Sequence, residues 1–215
     1  MKVISVVGLQ HCGSTLLFNL ISFILRKKNK TFKTICFNKQ RDFRRIPPKY
    51  DYLLVKSHVF IPKLQKISNI IFIPKRDIRD SLITHMKRKK FGFRRALRHY
   101  KNTSLKYYWQ WIKHKHFKFK YEGYMKNKKT NIERIINIIG FEFDNKQKII
   151  NELLIECNNL KKNLVKKNGK FVKSNYKKTF MTKSHSTSGG KIKKYLKEFN
   201  RKQRRILIND IKFIN

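Results

Sequence analysis

The octapeptide GLQHCGST, residues 8–15, constrains the fold more than any other part of this chain. It follows a short apolar run rich in β-branched residues, residues 2–7, which is typical of a buried strand. It precedes residues 14–26, where leucine and isoleucine recur at helical spacing. A glycine-rich turn between a strand and a helix directs backbone N–H groups at an anion, and the helix N-terminus adds partial positive charge. We therefore expect this segment, called the glycine loop below, to bind a phosphate.

The glycine loop lacks the lysine that nucleotide triphosphatases carry. Gly8 and Gly13 have the spacing of a phosphate-binding loop, and the hydroxyl pair Ser14 and Thr15 follows them. A triphosphatase needs a lysine directly after the second glycine, because that cation bridges the β- and γ-phosphates. Ser14 occupies this position here. The loop therefore predicts a ligand with one phosphate at its 5′ side and argues against hydrolysis of a nucleoside triphosphate.

Two further apolar runs end in polar residues. DYLLV, residues 51–55, is followed by Lys56-Ser57-His58, and NIIFI, residues 69–73, is followed by Pro-Lys-Arg-Asp. Strands that alternate with helices predict a parallel sheet, and ligands bind at the carboxyl ends of such strands. We expect one α/β domain over residues 1–215, with three layers, a central mainly parallel sheet flanked by helices, and a helical C-terminal half.

The residues at these strand ends have complementary chemistry. Lys56 and His58 lie two apart on an extended segment, so their side chains point the same way. Lys56 can neutralise a transferred anionic group, and His58 can act as a general base near neutral pH. Arg76 is suited to forked contacts with a second phosphate, with Thr84 two helical turns further on. The alternative is an ordinary helix start capped by Asp77, with Asp80 and Arg79 solvated on its outer face.

In this order, the motifs GLQHCGSTLL, VKSH and RDIRDSLIT resemble those of the sulfotransferases that use 3′-phosphoadenosine 5′-phosphosulfate, PAPS. FKFKYEGYMKN and SHSTSGGKIKKYLKEFNRKQ resemble later segments of that family more weakly, so the likeness spans nearly the whole chain. The resemblance implies a P-loop-like fold and transfer of a sulfuryl group from PAPS, as co-substrate, to a hydroxyl or an amine. It implies no metal.

The resemblance also implies the site residues. Those that contact the phosphates of PAPS would be Gly13, Ser14, Thr15, Arg76, Thr84, Gly189, Gly190 and Lys191. The residues acting on the transferred group would be Lys56, His58 as general base, and His11. The family usually has lysine or arginine where this chain has His11. A protonated imidazole can replace that cation, so we expect activity to fall as the pH rises through the titration range of histidine.

The formal net charge of +42 leaves other functions open. Such a charge is compatible with non-specific nucleic-acid binding, but the basic residues are spread along the chain, as compositional drift would produce. The alternatives are a P-loop nucleotide kinase-like phosphotransferase and a catalytically degenerate basic protein that binds nucleotides or polyanions. The acceptor, a glycan, a small molecule or a protein tyrosine, is not encoded in any motif. Three cysteines without a shared motif and no long apolar segment predict a soluble, cytoplasmic protein.

Overall fold

The computed structural model describes residues 1–37, 49–166 and 193–211. Within these ranges, five short strands form one sheet in the order β2-β3-β1-β4-β5, and every neighbouring pair is parallel. The strands are β1 (Lys2–Val7), β2 (Phe32–Phe37), β3 (Tyr52–Ser57), β4 (Ile70–Lys75) and β5 (Phe117–Lys120).

Helices follow the strands and cover both faces of the sheet. In chain order they are α1 (Ser14–Lys27), α2 (Pro62–Ile67), α3 (Ile78–Lys89), α4 (Phe93–Tyr100), α5 (Lys106–Ile112), α6 (Tyr121–Lys126), α7 (Lys128–Ile139), α8 (Lys146–Lys166), α9 (Tyr195–Glu198) and α10 (Arg201–Ile211). A π-helical segment, Lys101–Leu105, joins α4 to α5.

Strand β1 separates two hydrophobic cores because its side chains alternate between the two faces of the sheet. Val3 and Val7 belong to one core, which includes side chains of α3, α4, α5 and α10. Ile4 and Val6 belong to the other, which includes side chains of α1, α7 and α8. The predicted three-layer α/β fold with a parallel central sheet and a helical C-terminal half is confirmed.

The register of the sheet aligns the strand ends that precede the predicted motifs. Val7 of β1 lies opposite Ser57 of β3, and Ser57 lies opposite Phe37 of β2. The glycine loop and Lys56-Ser57-His58 therefore leave the sheet at the same edge. Because β1 lies between β3 and β4, the chain passes to opposite sides of β1 in successive units, which opens a crevice at this edge.

Two features of the second half of the chain were not read from the sequence. Strand β5 lies in the part expected to be mainly helical and extends the sheet beside β4. It has only four residues, so its alternation of phenylalanine with lysine is too brief to give a clear signal. A π-helical segment precedes α5, and within it Thr103 Oγ1 donates to His99 O at 2.7 Å.

Candidate functional site

The glycine loop has the backbone of an anion cradle. Gly8 and Gly13 have φ of +117° and +91°, in the region that favours glycine, and His11 between them has φ of +65°. Helix α1 starts directly after Gly13, which offers no side-chain cap, and its first turn has no acidic residue. The N-terminal end of α1 therefore favours an anionic ligand at the glycine loop.

Tyr121 explains why residue 13 must be glycine. A Cβ atom added to Gly13 would lie 2.5 Å from Cδ2 of Tyr121, closer than any real contact. The Arg76 guanidinium lies over the same ring, 4.7 Å from its centroid. Tyr121 therefore packs against the loop and also supports a buried cation, a contact worth about 2 kcal/mol or more when desolvated.

Lys56 lies at the C-terminal end of β3 and is buried, with 7% of its surface exposed. Its Nζ donates a hydrogen bond to Thr15 Oγ1 at 2.6 Å. Burial lowers the pKa of Lys56 to about 8, an effect that the charge of Arg88 reinforces and that of Cys36 opposes. The ammonium group is thus held at the first turn of α1, where an anion on the glycine loop would meet it.

His58 is oriented by the loop backbone. Its Nδ1 lies 3.0 Å from the carbonyl oxygen of Gly8. Because a carbonyl only accepts, Nδ1 carries the proton in the neutral ring, and Nε2 keeps its lone pair. Burial, and then the charge of Lys56, lower the pKa of His58 to about 4. At neutral pH the ring is therefore in the form that can accept a proton.

Arg76 is the second buried cation, 4% exposed, and follows β4. It donates from Nη1 to the backbone oxygen of His11 at 3.4 Å, and its Nη2 lies 3.9 Å from Asp80 Oδ2. The alternative in which Asp80 is solvated is wrong: Asp80 is fully buried and accepts a hydrogen bond from the backbone of Tyr195 at 3.1 Å. The start of α3 is thus tied both to the glycine loop and to α9.

Thr84 lies two turns further along α3 and is 8% exposed. Its hydroxyl donates to the backbone oxygen of Asp80 at 3.0 Å. A phosphate that approached Thr84 would meet an acceptor lone pair, so the hydroxyl must rotate before it can donate to that phosphate.

His11 contacts a residue that the sequence did not indicate. Its Nε2 lies 3.2 Å from Nδ1 of His85, which directly follows Thr84 on α3 and is fully buried. The adjacency of His85 to Thr84 is the only signal in the sequence. The imidazole of His11 is therefore coupled to α3.

The structure brings together most of the predicted site residues at one edge of the sheet, namely His11, Gly13, Ser14, Thr15, Lys56, His58 and Arg76. Gly189, Gly190 and Lys191 lie outside the described residues. Two other contacts were not anticipated: Glu122 accepts a hydrogen bond from the backbone of Asp77 at 2.9 Å, and Arg79 lies over the ring of Tyr195 at 3.7 Å. Both join the start of α3 to later segments of the chain.

Among the residues described, no three His, Cys, Asp or Glu side chains are arranged to hold a metal ion. Within the same ranges, no helix has the length and hydropathy needed to cross a bilayer.

This arrangement defines a P-loop-like α/β fold whose glycine loop is surrounded by cations. Comparison with solved structures identifies proteins of similar fold. Retinol dehydratase in complex with androsterone and the inactive cofactor PAP is 17% identical, with a TM-score of 0.71 over 99% of this chain and 80% of that chain. The retinol dehydratase complex with retinol and PAP is also 17% identical, with a TM-score of 0.65 over 99% and 81% of the two chains.

A third structure, mouse sulfotransferase SULT7A1 complexed with PAP, is 13% identical, with a TM-score of 0.66 over 97% of this chain and 82% of that chain. No protein-family model matches the sequence, and no curated protein matches it significantly. The likeness to the sulfotransferase fold, inferred from short motifs, is confirmed by the structure.

Proposed function

We propose that this chain is a PAPS-dependent sulfotransferase. The observation that carries the proposal is that three side chains from two motifs distant in sequence each reach the glycine loop with a hydrogen bond. Lys56 bonds to Thr15 at 2.6 Å, His58 to the Gly8 carbonyl at 3.0 Å and Arg76 to the His11 carbonyl at 3.4 Å. A base and two buried cations beside a helix N-terminus form a set suited to a doubly anionic nucleotide.

The residues present fit PAPS. The N–H groups at the start of α1 and the hydroxyls of Ser14 and Thr15 would hold the 5′-phosphosulfate. Arg76 would bind the 3′-phosphate, with Thr84 as a secondary contact, and Gly189, Gly190 and Lys191 would cover it. The buried cations offset the negative charge of the donor, so the proposal requires no metal.

Catalysis would depend on position and charge, as in phosphoryl transfer. His58 accepts the proton from the acceptor hydroxyl at Nε2 as the new S–O bond forms. Lys56 stabilises the sulfuryl oxygens, and His11 stabilises the bridging oxygen that leaves with the 5′-phosphate of PAP. Proton balance is complete when His58 later releases its proton to solvent.

Retinol dehydratase has been solved with retinol and with androsterone, so small hydroxylated lipids are the first acceptors to test for this chain. Tyrosyl peptides and glycans are the other two classes that we propose to test.

Calorimetric titration with PAP, which is 3′,5′-ADP, tests the donor site. We expect PAP to bind at least about tenfold more tightly than 5′-AMP, because only PAP has the phosphate that Arg76 would bind. Arg76→Ala should remove this preference. Arg26→Ala is the matched control, since Arg26 is an exposed arginine in the last turn of α1. Equal affinity of the original protein for the two nucleotides would contradict the proposal.

A further inference from the structure

Three histidines form a continuous hydrogen-bonded chain that starts at the glycine loop. His11 Nε2 lies 3.2 Å from His85 Nδ1, and His85 Nε2 lies 3.1 Å from His99 Nδ1. The rings belong to the glycine loop, α3 and α4. His85 is fully buried, whereas His11 and His99 are half-buried. The three hydrogen-bonded histidines therefore connect two partly accessible rings, His11 and His99, through His85, which water does not reach.

Aromatic packing isolates the central ring. His85 stacks on His99 with centroids 5.0 Å apart and an interplanar angle of 27°. Phe91 and Tyr100 pack against His85 with centroid distances of 6.3 and 5.4 Å. These rings contribute to the burial of His85, and its two nitrogen-to-nitrogen contacts connect it to His11 and to His99.

Burial also fixes the charge of the central ring. It lowers the pKa of His85 to about 4, and the charges of His99, Lys89 and Arg88 add to the effect. At neutral pH, His85 is therefore uncharged and carries a single N–H. It donates through one nitrogen and accepts through the other, so the three tautomers are coupled. In the two hydrogen bonds between the three imidazoles, the donor N–H groups either both point toward His11 or both point toward His99.

We propose that His11, His85 and His99 form a proton relay that sets the charge of His11 from solvent. The proposal deepens the proposed function, since it assumes that Nδ1 of His11 faces the donor. His85 and His99 are positioning residues that act through His11.

The relay conserves protons at each step. A proton from water binds His99 Nε2. His99 then passes its Nδ1 proton to Nε2 of His85, which passes its own Nδ1 proton to Nε2 of His11. Each bond made to a proton replaces one that is broken, and one positive charge moves from His99 to His11. The imidazolium of His11 then stabilises the bridging oxygen as the S–O bond of the donor breaks.

The surrounding charges favour proton transfer through the three histidines. Lys89 and Arg88 repel a proton resting on His85, and Arg76 donates a hydrogen bond to the His11 carbonyl. Tyr100 donates its hydroxyl proton to the backbone oxygen of Gln10 at 3.1 Å, so it does not compete for the ring nitrogens. An additional proton is therefore less stable on His85 than on His11 or His99.

Ring ¹⁵N NMR of the histidine-labelled full chain, without ligand, tests the coupling. Protonation of His99 forces its Nδ1 to donate, which fixes Nε2 of His11 as an acceptor. We expect the His11 and His85 signals to change when His99 gains a proton. His99→Leu should abolish this change. His114→Gln should leave it intact, since His114 stacks on Phe60 and is not one of the three linked histidines. Identical His11 titrations in the original protein and His99→Leu would overturn the relay.

A rescue experiment tests the catalytic consequence. His99→Ala should lower the turnover of PAPS and change the KM for PAPS less. Added imidazole should restore turnover in this variant and should have no such effect on His114→Ala. An unchanged turnover in His99→Ala would overturn the catalytic role of the relay. Absence of turnover in every protein would instead contradict the proposed function, while the NMR experiment would still decide whether the three tautomers are coupled.

Discussion

Nζ of Lys56 and Oγ1 of Thr15 lie 2.6 Å apart, which joins the end of β3 to the first turn of α1. The backbone of Lys56 is paired with Val6 on one side and Cys36 on the other, so the sheet fixes its position. The ammonium group therefore reaches the glycine loop before any ligand binds, an arrangement that reduces reorganisation during catalysis.

We predict that Lys56→Ala lowers the turnover of PAPS by about 10²–10³-fold, because charge on the transferred group loses its cation. Binding of PAP should change much less, since this ligand lacks the sulfuryl group. Lys33→Ala removes an exposed lysine from β2 and is the control for net charge. A loss of PAP affinity as large as the loss of turnover would contradict the assigned role of Lys56.

The shifted pKa values predict a window for activity. His58 must be uncharged to accept a proton, and its pKa of about 4 sets the acid limit. Lys56 must be charged, and its pKa of about 8 sets the alkaline limit in the free protein. These two groups taken alone confine kcat/KM to between about pH 4 and about pH 8. When His11 is replaced by lysine, which removes the limit set by its imidazole, the further change Lys56→Arg should abolish the alkaline limb near pH 8, because arginine stays charged.

His11 predicts a different alkaline limit. Because the proposed mechanism requires its imidazolium, activity falls as this ring loses its proton. His11→Lys supplies a permanent cation and should move the alkaline limb toward pH 8. An alkaline limb that is the same in His11→Lys and the original protein would remove the charge of His11 from the mechanism.

Gly13→Ala should destabilise the loop by at least about 1 kcal/mol, because its left-handed backbone disfavours a side chain and the new Cβ would collide with Tyr121. PAP binding should be lost with it. Gly92→Ala is the matched control, since Gly92 has an extended backbone and no atom within 4 Å of an added Cβ. The double variant Gly13→Ala, Tyr121→Ala relieves the collision but also removes the ring beside Arg76, so it is compared with Tyr121→Ala alone. Any further loss of thermal stability in the double variant measures the backbone strain at residue 13.

Buried histidine predicts loss of stability in mild acid. The folded pKa of His85, about 4, lies below its ordinary value of 6.5. Between these values the unfolded chain binds a proton that the folded chain does not, so stability falls as the pH drops from 6.5 to 4, by roughly 3 kcal/mol in total. In urea denaturation, the free energy of unfolding should fall less between pH 6.5 and pH 4 for His85→Phe than for His116→Phe. Equal declines would show that His85 is not held in its neutral form.

The local features could be read from the sequence because few residues determine them. The glycine loop lies between adjacent elements, so a strand, two glycines and an amphipathic helix suffice to place it. Lys56 and Arg76 reach it because parallel strands end at a common edge, a rule that needs no knowledge of side-chain packing.

The features that were missed depend on packing between distant segments. Contact between His11 and His85 requires the angle of α3 against the loop, which no periodicity encodes. Tyr121 approaches Gly13 only because β5 joins the sheet beside β4, and β5 is too short and too basic to be recognised. The burial of Asp80 depends on α9, which is more than one hundred residues away in the chain.

The ring of Tyr121, packed against Gly13 and beneath Arg76, also limits how such a site can diverge during evolution. A smaller residue at 121 would free the space that now forbids a side chain at 13, and it would remove the support of the guanidinium at 76. We therefore expect substitutions at positions 13, 76 and 121 to occur together among natural relatives of this chain.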